Sequence, residues 1–337
     1  MMVGSKLVIV WRVTEVCDLA CPFCAYARDV PHPRRSADPT EVLRVGRLLQ
    51  GYAASANRPV LVSLLGGEPL LWKPIFELSH TFKHEFGLQV SVTTNGTRLE
   101  SEEVRKQLMA DFDELIVSVD GVGSEHDRWR QQTGLAASLE KNVRRLKQLK
   151  IERGGGPRLR ANTILMRDSI QEFETLCRVV ADWGIEEVTF NALGGRDRPD
   201  FFPDHSLLPE QWAAFRVELP KIRQRLAPLK IFGTENYLNR LQSSITHSEL
   251  RITNCHPGAQ FLFIDEDGLI APCSFTGAGY GVQLSEVQTV SDLEQLPRLF
   301  AERQQTQRLA VCDDCPSTQV WGKFDSQPPS SRGAPCG

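Results

Sequence analysis

Six short apolar, β-branched runs recur along the first two-thirds of the chain, at 7–13 (LVIVWRV), 59–65, 88–93, 114–119, 158–165 and 186–191. Near-continuous apolar runs of this length suit parallel strands covered on both faces. Helical patterns separate them. Asp38-Pro39-Thr40-Glu41 reads as a capped helix start with Pro at its first position, leading into Val42, Leu43, Val45, Leu48 and Leu49. Further amphipathic runs lie at 73–86, 101–110, 138–150 and 170–183, and Gly87 and Gly184 close the first and last of these. Parallel strands joined by short connections need right-handed crossovers. The pattern therefore predicts an α/β fold, a partial (β/α)6 TIM-like barrel that stays open because it has six repeats rather than eight. Its chemistry is expected at the C-terminal strand ends.

The pattern changes after Asn191. The reading divides the chain into a barrel core over 1–195 and a helical connecting segment over 196–250, with helical runs near 208–226 and 235–246. A small cysteine-rich domain follows over 251–325, holding a hairpin that turns at Asp265–Gly268 and few long helical patterns. A tail over 326–337 is rich in Ser, Pro and Gly.

A net charge of −3 supplies no basic field, so nucleic acid is not an expected partner. Pro33-Arg34-Arg35 and Arg144-Arg145 read as solvated surface. No apolar stretch reaches the roughly 18 residues of a membrane span, and the N-terminus lacks a secretory core. A cytoplasmic location is expected, where thiols stay reduced. Nine cysteines in that compartment read as metal ligands sooner than as a disulfide framework.

Cys17, Cys21 and Cys24 follow the first strand as C-x3-C-x2-C. Three thiolates on so short a loop can wrap one face of an iron–sulfur cubane, which normally takes four. The fourth iron would stay open to a ligand, the arrangement used by catalytic zinc. A zinc knuckle or plain surface cysteines are the bland alternatives; no fourth Cys lies nearby, and His32 is the nearest other ligand type.

With Phe23 before Cys24, this segment resembles the signature of the radical S-adenosylmethionine (SAM) superfamily, C-x3-C-x-aromatic-C. The resemblance implies a [4Fe–4S] cluster whose open iron chelates SAM, reductive cleavage to methionine and a 5′-deoxyadenosyl radical, and a reductant such as flavodoxin or ferredoxin. Gly66-Gly67-Glu68-Pro69 matches the family's GGEP motif, which contacts the methionine amino group. Its glycines would let backbone approach the ligand, and its carboxylate suits an amine. An ordinary Gly/Pro turn with an exposed Glu is the bland reading. Thr94 and Asn95 end the third run as a contact site or as a simple Asn-Gly turn. Ser118 and Asp120 resemble the ribose-binding strand end. Arg130 follows His126-Asp127-Arg128-Trp129 in an expected loop where relatives place Arg-Gly, although Gln131 replaces the glycine; it would pair the cofactor carboxylate or form a salt bridge to Asp120. Arg160 and Asn162 share a strand face, toward the cavity or within a satisfied polar layer.

Five more cysteines close the chain. Cys255, Cys273, Cys312 and Cys315 make a complete four-ligand set. They resemble the shortened SPASM, or twitch, extension, which implies a second, auxiliary [4Fe–4S] cluster; a structural zinc site fits the same residues. Cys177 sits on the apolar face of a helical pattern with Ile170, Phe173, Leu176 and Val180, as a core thiol does. Cys336 is penultimate, an idle thiol, a fifth ligand or a hydrogen-atom donor.

The expected function is hydrogen abstraction from an organic substrate, peptide or small metabolite, ending in oxidation or bond formation. Epimerisation would need Cys177 or Cys336 as the quenching thiol. The first strand begins near residue 7, which argues against a fused N-terminal leader-peptide domain. An iron–sulfur electron carrier or zinc-stabilised binding module is the non-enzymatic alternative. Asp197, Phe201 and Trp212 read as packing and surface.

Overall fold

The computed structural model describes residues 6–194, 198–252 and 255–324. The first six repeats are β1 (Leu7–Thr14), α1 (Pro39–Ser55), β2 (Val60–Gly66), α2 (Ile75–His80), β3 (Gln89–Thr94), α3 (Glu102–Asp111), β4 (Glu114–Ser118), α4 (Ser124–Arg130), α5 (Leu135–Glu152), β5 (Arg158–Leu165), α6 (Phe173–Trp183) and β6 (Glu187–Ala192). Caps set the boundaries the sequence announces. Asp38 accepts from the Thr40 amide at 2.9 Å to start α1, and Ser101 accepts from Val104 at 3.3 Å to start α3. Gly184 ends α6 at φ 113, a left-handed position that favours glycine.

Strand alternation sorts the two faces of the sheet. Leu7, Ile9, Trp11 and Val13 of β1 are all buried, and Phe190 of β6 stacks edge-on against Phe173 of α6. That face carries the helices. By the strand register, Val8, Val10 and Arg12 share the opposite, inner face with Ser63, Ser91, Glu114, Arg160, Asn162 and Thr189. The barrel interior is therefore polar over much of its wall, while the apolar core lies between sheet and helices.

After β6 come α7 (Phe202–His205), α8 (Pro209–Arg225), β7 (Lys230–Ile231), α9 (Glu235–Ile245), β8 (Phe261–Ile264), β9 (Leu269–Ala271), α10 (Gly277–Tyr280), β10 (Val282–Gln283) and α11 (Val290–Thr306). All ten strands form one open sheet in the order β10-β9-β8-β1-β2-β3-β4-β5-β6-β7. The C-terminal hairpin adds itself to the barrel: β8 runs parallel to β1, with Val8 opposite Phe261 and Trp11 opposite Ile264.

Two helices depart from the sequence reading. The loop expected around His126–Trp129 is helix α4, and the region expected to lack long helices contains the 17-residue α11. α11 tolerates Pro297 because it buries Leu293, Leu296 and Phe300, and because Thr289 and Asp292 form a capping box at its start. Tertiary packing outweighs the proline.

Candidate metal centres

The loop after β1 carries Cys17, Cys21 and Cys24, and two arginines organise it. Arg34 donates to the carbonyls of Glu15, Tyr26, Ala27 and Val30 at 2.8–3.1 Å. Arg35 pairs with Glu15 and Glu266, both at 3.2 Å, and with Asp267. The expectation of a solvated surface for this pair is thus corrected: a loop that cannot form a ladder needs side-chain donors for its carbonyls. Burial raises the Glu15 carboxyl, but the Arg35 hydrogen bonds outweigh it and hold it at about 2. Arg144 and Arg145 do lie on the surface, in exposed ion pairs.

Burial pushes the Cys17 and Cys21 thiols up to about 11. Such thiols stay protonated unless a cation sits among them, which suits a metal and not a free nucleophile. Each also has a donor at its rim: Asn95 Nδ2 lies 3.9 Å from Cys17 Sγ, and Arg130 Nη1 lies 3.9 Å from Cys21 Sγ. The Tyr26 amide donates to Cys24 Sγ at 3.4 Å.

Among the described residues, His80, His84 and Asp111 also bring three ligand atoms within 4.8 Å of one another, with both histidines exposed and the aspartate buried.

Gly66 and Gly67 are small for the sake of the protein's own backbone. A Cβ on Gly66 would stand 2.3 Å from the Thr14 carbonyl oxygen, and one on Gly67 would stand 2.3 Å from that of Val16. Their neighbours donate across this seam: Gly67 N to Thr14 O at 2.8 Å, and Glu68 N to Val16 O at 2.7 Å. These glycines therefore also let the turn approach the cysteine loop closely. Pro69 starts a short turn, Pro69–Leu71. Glu68 is fully buried, not exposed as the bland reading had it. Its carboxylate accepts from Thr94 Oγ1 at 2.7 Å, the Asn95 amide at 2.7 Å and the Leu70 amide at 3.0 Å. Burial outweighs these donors and raises the carboxyl to about 7. Asn95 in turn reaches Asp18 at 2.8 Å, so one chain of bonds ties the ends of β2 and β3 to the loop between Cys17 and Cys21.

Beyond β4, Asp120 is buried and ion-paired with Arg130, which is the structural alternative read for that arginine. Asp120 also accepts from the Ile164 amide at 2.8 Å, and its own amide donates to His126 Nδ1 at 3.1 Å. His126 must keep that lone pair, and burial holds its pKa down at about 3. The Arg130 guanidinium lies 5.5 Å from the ring of Phe23, which packs on Phe201. Ser118 is half-buried at the end of β4, next to Asn162 in register. Arg160 pairs with Glu187 at 2.6 Å and Glu114 at 3.4 Å, the satisfied polar layer.

Cys255, Cys273, Cys312 and Cys315 converge on one cavity of about 360 Å³. They come from the approach to β8, the turn after β9, and the segment after α11. Polar groups edge their sulfurs: Gln304 Nε2 lies 3.5 Å from Cys255 and 4.0 Å from Cys312, Tyr280 Oη 3.8 Å from Cys312, and Thr276 Oγ1 3.3 Å from Cys273. Burial raises the Cys273 thiol, and raises Cys315 to about 11. None of the eight described cysteines forms a disulfide. Cys177 is wholly buried in the core under α6, its thiol pushed far up by burial, so the structure gives it no path to a substrate. Cys336 and Asp197 lie outside the described residues. Trp212 is core, and Phe201 packs between Phe23, Trp129 and His205.

Sequence reasoning missed Arg34, Arg35, Gln304 and Tyr280. Only the Arg-Arg pair beside a cysteine loop carried a signal; Gln304 and Tyr280 are ordinary residues until folding brings them to the sulfurs.

Residues 11–193 match the family model for the Radical SAM superfamily. An AdoMet-dependent heme synthase of Methanosarcina barkeri is 26% identical over 285 residues, covering 81% of this chain and 78% of the relative. The crystal structure of Streptococcus suis SuiB bound to S-adenosylmethionine shares the fold, with a TM-score of 0.66 at 16% identity over 92% of this chain and 72% of that one. The structure of native anSMEcpe with bound AdoMet gives a TM-score of 0.60 at 15% identity, over 92% of this chain and 88% of that one. Among the described residues no helix is long and apolar enough to cross a membrane.

Proposed function

Because the chain belongs to the Radical SAM superfamily and is a radical SAM enzyme, we propose that it oxidises an organic substrate with the help of a second, auxiliary cluster. Membership in an enzyme family sets aside the electron-carrier and binding-module alternatives. Cys17, Cys21 and Cys24 would hold the [4Fe–4S] cluster, and Cys255, Cys273, Cys312 and Cys315 the auxiliary one. When bound, cluster and cofactor supply one-electron cleavage of SAM to methionine and a 5′-deoxyadenosyl radical, which takes a hydrogen atom from the substrate.

The chain's own residues position and shield. Arg34 and Arg35 fix the loop that presents the three thiols. Glu68 ties the ends of β2 and β3 behind it, so the methionine end of the cofactor would meet the backbone of Gly66–Pro69 with Thr94 and Asn95 at its flank. Ser118 faces the interior at the place the ribose would occupy, while Asp120 holds Arg130 near Cys21 and Phe23. A reductant of the flavodoxin or ferredoxin type and a reducing, cytoplasmic setting belong to the same reading.

The observation that carries the auxiliary cluster is the convergence of four cysteines on one cavity, edged by Gln304, Tyr280 and Thr276. Donors to sulfur tune iron–sulfur centres. Substrate classes named for relatives and structural neighbours, a heme synthase among them, leave peptide and small-molecule substrates both open to assay. Epimerisation now depends on Cys336, since Cys177 is sealed in the core.

The test is anaerobic reconstitution followed by iron and sulfide analysis and an assay for 5′-deoxyadenosine. Two cubanes give about eight irons per chain. Cys273→Ala should remove about half the iron, and Cys21→Ala should abolish 5′-deoxyadenosine formation. Zinc at the C-terminal set, or nucleoside release unaffected by Cys21→Ala, would defeat the proposal.

A further inference from the structure

The segment that follows Cys315 turns back into the barrel and delivers a lysine there. Trp321 Nε1 donates to the Cys315 carbonyl at 3.0 Å, and Thr234 at the start of α9 donates through Oγ1 to the Trp321 carbonyl at 2.9 Å. The Lys323 amide donates to Thr318 O at 3.2 Å. So pinned, Lys323 is 6% exposed, and its Nζ donates to Asn162 Oδ1 at 3.0 Å on the inner face of β5. Asn162 stands in register between Ser118 of β4 and Thr189 of β6.

Charge at this wall is unbalanced. Glu187 pairs with Arg160, and Glu114 pairs with Arg158 and Arg160. Both carboxylates are committed to arginines. Three cations thus face two anions, and Lys323 has no carboxylate within ion-pairing distance among the described residues. Its other neighbour is the ring of Phe324, with the centroid 5.0 Å from Nζ. A buried ammonium with one neutral hydrogen bond is costly unless an anion joins it. Burial, then the neighbouring Arg160 charge, lowers its pKa to about 7, the direction expected of a cation lacking its counterion.

Asn162 points to the shape of that anion. An ammonium only donates, and Thr189 Oγ1 also donates to Asn162 Oδ1, at 2.9 Å. Both bonds turn the amide oxygen toward Lys323 and Thr189. The Asn162 NH2 is then left without a protein partner among the described residues, on a half-exposed side chain. One mobile ammonium and one amide N–H group side by side suit two oxygens sharing a single negative charge.

We infer that Lys323 and Asn162 form the anchor for a carboxylate of the substrate inside the barrel. This deepens the proposed function and rests on it: Asn162 stands directly opposite Ser118 in register, at the wall where the cofactor ribose would sit, and Lys323 lies on the segment that also supplies the proposed auxiliary ligand Cys315.

The experiment is thermal unfolding of cluster-loaded protein in propionate, phosphate or chloride at matched ionic strength, for wild type, Lys323→Met and Lys323→Arg. Propionate should raise the wild-type Tm by a few degrees over chloride. Lys323→Met should melt above wild type in chloride, being relieved of its unpaired charge, and should lose the propionate response, which Lys323→Arg keeps at least in part. A propionate response that survives in Lys323→Met, or is missing in wild type, overturns the anchor. So does a lower Tm for Lys323→Met in chloride, which would mean the ammonium is already satisfied by the protein. An equal rise in phosphate overturns the assignment to carboxylate. The readout uses neither SAM nor reductant, so it can fail while SAM cleavage stands, and stand while cleavage fails.

Discussion

Arg130 faces two acidic groups at once: its guanidinium pairs with the buried Asp120 while its Nη1 lies 3.9 Å from the Cys21 sulfur. The pair joins the end of β4 to the cysteine loop. Removing the arginine strands Asp120 in a site closed to water. Arg130→Ala should therefore cost roughly 3–5 kcal/mol in denaturant unfolding. Adding Asp120→Ala to it should restore part of that loss. Additive losses in the double variant would show that the two side chains are not coupled.

Gly67→Ala tests the seam between the GGEP turn and the cysteine loop. The added methyl would meet Val16 O at 2.3 Å and Val16 C at 2.6 Å, both backbone atoms that cannot swing aside. Overpacking of this kind costs about 1–3 kcal/mol or more. The loop should also load less iron, as read by absorbance and metal analysis after reconstitution. Gly87→Ala is a control for the clash, since nothing lies within 4 Å of a Cβ built there, although its φ of 65 carries its own strain.

His126 gives the acid limb of stability a sign. Its folded pKa is depressed to about 3 from an ordinary value of 6.5. Below pH 6.5 the unfolded chain takes up the proton first, so this contribution is full above pH 6.5 and falls as the pH drops toward 3. The slope from this group alone is about 1.4 kcal/mol per pH unit. Asparagine can accept the Asp120 amide without titrating. His126→Asn should flatten the pH dependence of unfolding between those limits relative to wild type; parallel curves for the two proteins would refute the assignment.

Gln304 reaches two of the C-terminal sulfurs, Cys255 at 3.5 Å and Cys312 at 4.0 Å. Donors to sulfur favour the reduced, more negative state of an iron–sulfur centre. If the proposed auxiliary cluster is bound there, Gln304→Leu should lower its potential by on the order of 40 mV, taking about 1 kcal/mol for the lost bonds. Protein-film voltammetry or a dye titration followed by EPR reads the shift, and a rise in potential would contradict it.

What could be read from sequence was local. The six barrel strands and the principal helices lie close to where apolar period and caps put them, because Asp38, Ser101 and Gly184 act through bonds and φ values within their own segments. The cysteine spacings were equally local. Pairings set far apart in the chain were not legible. β7 is two residues long and exists only because Val188 offers an edge to Ile231. Arg35 meets Glu266 from the far end of the chain, and Lys323 acquires its meaning only beside Asn162. α11 went unread: its capping box of Thr289 and Asp292 is local, but Pro297 interrupts the helical pattern, and the packing of Leu293, Leu296 and Phe300 decides the matter.

The parallel pairing of β8 with β1 has a practical result for anyone trimming this chain. Val8 to Trp11 would lose its neighbour on one side if the sequence were cut near residue 250, leaving a row of unsatisfied amides and carbonyls along an apolar ribbon. Exposed ribbons of that sort recruit other chains. A shortened protein intended to isolate the SAM-binding half would come out of solution as aggregate, and its inactivity would say nothing about the missing cysteines. Point substitutions, not deletions, are the safe way to silence the C-terminal sulfurs.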